Sequence, residues 1–84
     1  MSYRVELSRR AERDLSGLLR AVADRVRLRI FTLADDPRPR GSAKIASPDR
    51  WRLRVGDYRA IYDIDDRAQL VIVQRVGHRK DVYR

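Results

Sequence analysis

Three arginines lie around a Gly-Asp pair with the spacing of a β-hairpin. The segment from Trp51 to Tyr62 reads Trp-Arg-Leu-Arg-Val-Gly-Asp-Tyr-Arg-Ala-Ile-Tyr. A Gly-Asp pair between alternating apolar residues indicates a two-residue hairpin loop. Such a loop places Arg54 directly opposite Arg59, with Arg52 two residues further along the same face. Three guanidinium groups on one small surface could bind the phosphates of a nucleic acid.

The predicted pairing of Arg54 with Arg59 sets two like charges against each other. Opposed like charges destabilise a sheet by roughly a few tenths of a kcal/mol or more, so we expect an anion between them. The alternative is a solvated face on which the arginines spread apart in water. A second cationic cluster, residues 77–84, follows the last predicted strand and favours the anion. Gly77 would let that strand end bend back over the sheet.

The helices and the first strand follow from the apolar periodicity. Residues 3–7 alternate between apolar and polar, as in a short half-buried strand. Ser8 then stands at the N-cap position of a first helix. Two apolar stripes at helical spacing follow, the first made of Ala11, Leu15, Leu18 and Leu19 and the second of Val22, Val26, Ile30 and Leu33. The second ends before Pro37, which predicts two antiparallel helices joined by a tight bend at residues 19–21.

The second half of the chain reads as loop and then strands. Residues 36–43 contain two prolines and a glycine and predict a loop, with a further turn at residues 47–49. Strands are predicted at 50–55, 58–64 and 69–76. Their alternation places one set of side chains on the face that must cover the helices: Trp51, Leu53, Val55, Tyr58, Ala60, Tyr62 and Ile64. The predicted fold is α+β: an amino-terminal strand, two antiparallel helices and a three-strand antiparallel meander, with the helices on one face of a small twisted sheet.

Composition restricts the class of protein. Residues 1–84 suffice for a single domain, and 20 Lys and Arg against 12 Asp and Glu give a net charge of +8, so we expect anionic partners. The absence of cysteine excludes disulfides and thiol catalysis. The longest apolar run, residues 70–73, is too short for a membrane span, and no signal-peptide core opens the chain. We therefore expect a cytoplasmic protein without a membrane partner.

Aspartates near the last predicted turn raise the question of a metal site. Asp63, Asp65 and Asp66 could suggest magnesium. Turns attract aspartate for backbone reasons, however. We expect no metal and no cofactor.

Two segments together resemble the RelE branch of the RelE/ParE toxin superfamily. They are residues 51–62 and residues 75–84, which read Arg-Val-Gly-His-Arg-Lys-Asp-Val-Tyr-Arg. The first strand leading into Ser-Arg-Arg-Ala-Glu-Arg-Asp-Leu also matches, and the resemblance covers the whole chain. It implies a ribosome-dependent mRNA endonuclease that cuts the codon in the ribosomal A site. It also implies an acidic cognate antitoxin, with operator DNA contacted only through the antitoxin complex.

The resemblance assigns roles to individual residues. It implies that Arg59 and Arg79 contact the scissile phosphate and that Tyr83 acts as the base. Arg52 and Arg54 stand where the family often has lysine, and since arginine stays protonated they can act only as an electrostatic clamp. The full set of RNA-binding candidates is Lys44, Arg50, Arg52, Arg54, His78 and Lys80.

Metal-free RNA cleavage sets its own chemical requirements. It needs a group that takes the 2′-hydroxyl proton, positive charge for the phosphorane oxygens and an acid for the leaving oxygen. His78 is the only histidine, so a two-histidine mechanism is not available. A tyrosine can serve as base where nearby cations lower its pKa from about 10. Tyr83 could instead only pack its ring on the sheet, and His78 could be a turn residue, a phosphate contact or the acid.

Two other functions are compatible with the sequence. A ParE-type inhibitor of DNA gyrase is a non-enzymatic binding protein on the same fold, and it would not need Arg59, Arg79 and Tyr83 together. A plain nucleic-acid-binding module would expose a pair of stacking aromatics, whereas the aromatic residues of the hairpin are predicted on the core face.

Overall fold

The computed structural model describes residues 2–46 and 48–83, which form two helices on a five-stranded sheet. The elements in chain order are β1 (Arg4–Leu7), α1 (Arg9–Ser16), α2 (Arg20–Phe31), a 3₁₀ turn (Thr32–Ala34), β2 (Ser42–Ala46), β3 (Arg50–Val55), β4 (Tyr58–Asp65) and β5 (Leu70–His78). The strand order is β1-β5-β4-β3-β2, with β1 parallel to β5 and the other neighbours antiparallel. The predicted α+β class is confirmed.

The strand β2 corrects the sequence prediction. Residues 36–43 were expected to be loop and only three strands were expected after the helices, but Ser42–Ala46 pairs antiparallel with β3. Its pattern of small residues around Lys44 and Ile45 carries no clear apolar alternation. The strand forms because β3 offers it a free row of backbone donors and acceptors, so pairing and not side-chain pattern determines it.

The first helix begins where it was predicted but ends earlier. The Ser8 hydroxyl oxygen accepts a hydrogen bond from the Ala11 backbone N–H at 3.1 Å and so caps α1. α1 ends at Ser16, with Gly17 as its C-cap. The assignment of Leu19 to the buried stripe of this helix was wrong, because Leu19 is the N-cap of α2 and is 80 % exposed.

The core lies between the helices and one face of the sheet. Its helical side chains include Ala11, Leu15, Val26 and Ile30. All seven hairpin residues predicted for this face contribute: Leu53, Val55, Ala60, Tyr62 and Ile64 are buried, while Trp51 and Tyr58 are partly buried against them. β5 adds Val71, Val73 and Val76. The opposite face of the sheet is therefore left free of helices.

Helix α1 and its N-cap also supply hydrogen-bond partners to the backbone of β5 beyond the end of β1. Beyond β1, the Ser8 hydroxyl donates to the Gln74 carbonyl at 3.0 Å. The pairing of β4 with β5 shifts after Ile61, and there Asp14 accepts from the Val76 backbone N–H at 2.9 Å and from Arg75 at 3.3 Å. One carboxylate thus covers a sheet irregularity that would otherwise leave a backbone donor unpaired.

A charged network fixes the loop before β2 at the end of the sheet far from the hairpin loop. Arg38 lies 2.9 Å from carboxylate oxygens of both Asp49 and Asp66, and its guanidinium stacks over Trp51 at 5.3 Å from the ring centroid. The Tyr3 hydroxyl donates to Asp66 at 2.6 Å. These contacts connect β1, the loop, β3 and the β4–β5 turn. In the part of the chain described, no helix is long and apolar enough to cross a membrane.

Candidate nucleic-acid interface

The hairpin of β3 and β4 has the predicted register. Arg54 pairs with Arg59 and Arg52 pairs with Ile61. Gly56 has a φ of 59°, which glycine adopts readily at the first position of a two-residue hairpin loop. We call the sheet surface opposite the helices the arginine face, defined by Arg50, Arg52, Arg54 and Arg59.

The hairpin loop holds the guanidinium of Arg59 through its backbone carbonyls. The Arg59 Nη1 donates to the Gly56 carbonyl at 2.8 Å and to the Tyr58 carbonyl at 2.9 Å. Its guanidinium is therefore held at the loop by two backbone acceptors, which leaves its charge uncompensated. Within residues 2–46 and 48–83, no carboxylate forms a salt bridge with Arg52, Arg54 or Arg59. Three cations of the arginine face are thus free to bind an anion.

The carboxy-terminal tail, residues 79–83, turns back over the arginine face. Gly77 pairs with Arg59, and a Cβ added at Gly77 would lie 3.4 Å from the Val82 Cβ. Val82 is only 2 % exposed although it lies outside the core beneath the helices. A single added methyl group would just touch Val82, whereas a longer or branched side chain at position 77 would collide with it, so a small residue there allows this docking.

The tail brings two of the predicted catalytic residues to the hairpin end. The Arg79 backbone N–H donates to the Asp57 carbonyl at 2.8 Å, which ties the start of the tail to the hairpin loop. Tyr83 follows the buried Val82 directly and is 57 % exposed. Arg79 therefore begins beside the hairpin loop, and the exposed Tyr83 follows the residue that docks at Gly77, the strand partner of Arg59.

Arg50 differs from the other arginines of this face because a carboxylate holds it. It pairs with Asp63 across the strands, with Nε to Oδ1 at 2.7 Å and Nη2 to Oδ2 at 2.9 Å. The Arg50 guanidinium, helped by a hydrogen bond from Gln74, lowers the pKa of Asp63. Continuing the predicted hairpin register two residues beyond Arg52 would have revealed this pair, which the sequence analysis missed.

Of the other RNA-binding candidates, Lys44 and His78 lie on the helix-side face of the sheet and Lys80 lies in the tail. Lys44 pairs with Trp51, so its side chain shares the helix-side face at the edge of the sheet. His78 pairs with Tyr58, and the two rings make an edge contact with centroids 5.5 Å apart. The His78 Nδ1 accepts from the Lys80 backbone N–H at 3.2 Å, and Lys80 is exposed in the tail.

The aspartates considered for a metal site have separate partners. Asp63 binds Arg50, Asp66 binds Arg38, and Asp65 accepts from the Ala68 backbone N–H at 3.0 Å within the β4–β5 turn. The last contact is the backbone role expected of a turn aspartate. Across residues 2–46 and 48–83, no group of three or more metal-ligating side chains comes together.

Comparison with known proteins accounts for this architecture. A family model described as the ParE toxin of the type II toxin-antitoxin system, parDE, matches residues 5–83. The chain therefore belongs to the RelE/ParE toxin family. Toxin RelG of Mycobacterium tuberculosis is 33 % identical over 90 residues, covering 100 % of this chain and 99 % of RelG. The resemblance read from the sequence is confirmed.

Solved structures of RelE toxins have the same fold. The toxin-antitoxin complex RelBE2 from Mycobacterium tuberculosis matches with a TM-score of 0.83 and 30 % identity over 93 % of this chain and 99 % of that one. The archaeal RelE-RelB complex from Pyrococcus horikoshii matches with a TM-score of 0.84 and 26 % identity over 98 % and 100 % of the two chains. In both, the toxin was solved together with its antitoxin.

Proposed function

We propose that this RelE/ParE-family toxin is a metal-independent endoribonuclease that cuts mRNA in the ribosomal A site and so inhibits translation. The observation that supports this most directly is the cross-strand pair of Arg54 and Arg59, two opposed cations without a carboxylate partner among the described residues. A phosphate group between them would turn their repulsion into attraction. The tail adds Arg79 and an exposed Tyr83 at the same end of the sheet.

These groups divide the chemistry between them. Tyr83 serves as the base that takes the proton of the 2′-hydroxyl, and the 2′-oxygen attacks phosphorus while the bond from phosphorus to the 5′-oxygen breaks. Arg59 and Arg79 stabilise the negative charge that develops on the phosphorane oxygens. Arg52 and Arg54 hold the RNA as an electrostatic clamp. The products are a 2′,3′-cyclic phosphate and a 5′-hydroxyl, the latter after proton transfer to the leaving oxygen.

A cognate acidic antitoxin is the proposed regulatory partner. The relatives solved as complexes each pair a RelE toxin with its antitoxin. With a net charge of +8 and an unpaired set of arginines, this toxin suits a segment rich in Asp and Glu. Such a segment would cover the arginine face or displace the tail from Gly77. Operator DNA would then be contacted only through the antitoxin complex, and the ribosome with its mRNA and rRNA would be the target.

The second candidate function is inhibition of DNA gyrase. It is favoured by the match of the chain to the ParE toxin family model. A gyrase inhibitor would bind its target without cleaving a phosphodiester, so the arginine face would be a binding surface alone.

One experiment separates the two functions. The protein is induced in cells, new mRNA 5′ ends are mapped, and DNA-damage signalling is followed in the same cultures. Endonuclease activity predicts new ends inside translated codons, and these ends should be absent with Arg59→Ala. Induction of DNA damage signalling without new ends would replace the nuclease by the gyrase inhibitor.

A further inference from the structure

A cleft opens on the arginine face beside the cations assigned to phosphate. Its volume is about 320 Å³, and Ala46, Pro48, Asp49, Arg50 and Asp63 line it. Arg50 stands two residues from Arg52 on the same strand, which is about 7 Å along β3. An RNA strand held by Arg52 and Arg54 would therefore pass the mouth of this cleft.

The charges around the cleft disfavour another phosphate. Asp49 and Asp63 both line it, and Asp49 is already bound to Arg38 and to the Trp51 indole N–H. Two carboxylates beside Arg50 would repel an anion. The small apolar surfaces of Ala46 and Pro48 suit a flat neutral ring instead. A nucleobase meets both conditions, since it is planar, uncharged and rich in hydrogen-bonding groups.

The geometry of the Arg50–Asp63 pair leaves one edge of the guanidinium available. Asp63 occupies the edge formed by Nε and Nη2. The edge formed by Nη1 and Nη2 retains N–H donors in a fixed, parallel arrangement. A guanidinium held on one side by a carboxylate presents a preorganised pair of donors on the other, and Gln74 holds the carboxylate in turn. The base whose edge accepts two such donors is guanine, through O6 and N7.

We propose that this cleft is a base-reading subsite in which Arg50, positioned by Asp63, recognises a guanine of the bound mRNA. The inference rests on the proposed function, since it assigns codon selection to the surface that holds the substrate. Arg50 would then contribute specificity more than affinity. Its neighbours Arg52 and Arg54 bind the sugar-phosphate backbone, which carries no sequence information of its own.

The test compares single-turnover cleavage on ribosomes whose A-site codon carries guanine, adenine or 7-deazaguanine at each of the three positions. The last base lacks the N7 acceptor. At one codon position, a codon with guanine should be cleaved roughly 5- to 100-fold faster than the same codon with adenine, the range expected for a bidentate contact. The 7-deazaguanine should lose a large part of that preference. Arg50→Lys keeps the charge but lacks the two parallel N–H donors. In this variant the cleavage rates of the guanine and adenine codons should therefore agree within about twofold.

Two further variants complete the design. Asp63→Asn should reduce the ratio, because the amide no longer fixes Arg50. Arg25→Ala removes a positive charge from the exposed side of α2 and should keep the wild-type ratio. A wild-type enzyme indifferent to guanine at every position would overturn the subsite, as would an unchanged ratio in Arg50→Lys.

Absence of cleavage at any codon would instead refute the nuclease. The guanine subsite is then tested by binding alone. Fluorescence anisotropy measures the affinity of the wild type and of Arg50→Lys for short RNAs that contain guanine or 7-deazaguanine. Equal affinities for the two RNAs in the wild type would overturn it.

Discussion

Tyr83 combines accessibility with a buried neighbour that fixes its position. Val82 docks at Gly77, so the tyrosine is held near the arginines while its ring stays exposed. We expect Tyr83→Phe to change the free energy of unfolding by less than about 1 kcal/mol, because ring contacts are kept. Single-turnover cleavage should fall by roughly 100-fold or more, the scale of general-base catalysis. Thermal unfolding of the same variant is the control.

His78 provides the competing assignment of the base. Its ring lies on the helix-side face against Tyr58, away from Arg59. If Tyr83→Phe stayed within a factor of about three of the wild type while His78→Ala abolished cleavage, the base would be His78.

The arginines should separate into two classes when their kinetics are measured. Arg59→Ala and Arg79→Ala should each lower kcat by on the order of 100-fold, as the loss of one oxyanion donor does. Arg52→Ala and Arg54→Ala should mainly raise KM, because these side chains hold RNA equally in the ground and transition states. Equal losses in binding alone at all four positions would contradict this division.

At the scale of elements, the docked tail is the part of the site most sensitive to a single change. Gly77→Val would place methyl groups where Val82 lies, and should therefore release the tail without disturbing the core beneath the helices. Hydrogen exchange should show loss of protection at the Val82 backbone N–H, which donates to the His78 carbonyl. Cleavage should fall at least as far as in Tyr83→Phe.

The matched control for the tail is Gly17→Ala. Its added methyl would meet only helix carbonyls, at 3.6 Å or more, and activity should persist. Full activity in Gly77→Val would show that the docked tail is dispensable.

Elements defined by their side-chain pattern could be predicted from the sequence, and elements defined by backbone pairing with a neighbouring strand could not. The β3–β4 hairpin and its facing arginines were predictable, because the Gly-Asp loop fixes the register and alternation fixes the faces. β2 was not, since its pairing with β3 defines it. The burial of Val82 was missed for a related reason: one apolar residue in a charged tail gives no periodic signal, and it packs against Gly77, the strand partner of Arg59.

At the scale of the whole molecule, the charge of +8 should determine how fast partners arrive. The association rate with an acidic antitoxin segment should fall steeply as salt rises, since screening shortens the range of attraction to about 8 Å at physiological ionic strength. Stopped-flow binding from low to high salt measures this dependence. An association rate that does not change with salt would exclude steering by this charge.

Acid should weaken the sheet through two aspartates. The guanidinium of Arg50 lowers the pKa of Asp63, and Arg38 with the Tyr3 hydroxyl lowers that of Asp66. Because the folded pKa values lie below the unfolded value near 3.9, their stabilisation is complete above that pH and is lost as pH falls through the folded values. The melting temperature should drop below about pH 4, and the drop should be shallower in an Asp63→Asn, Asp66→Asn double variant. If the melting temperature of the double variant fell with pH as steeply as that of the wild type, the acid sensitivity would belong to other groups.

The irregular pairing of β2 also affects how copies of this chain meet. β2 forms one border of the sheet, and its register with β3 shifts between Lys44 and Ala46. A regular border would offer a template on which a second molecule could add its own strand and begin polymerisation. The shift leaves Ile45 without a partner in the ladder and sets a lysine beside it, so the border is both uneven and charged. This border of the sheet is thereby protected against edge-to-edge pairing with a second copy during any interval that the molecule spends alone.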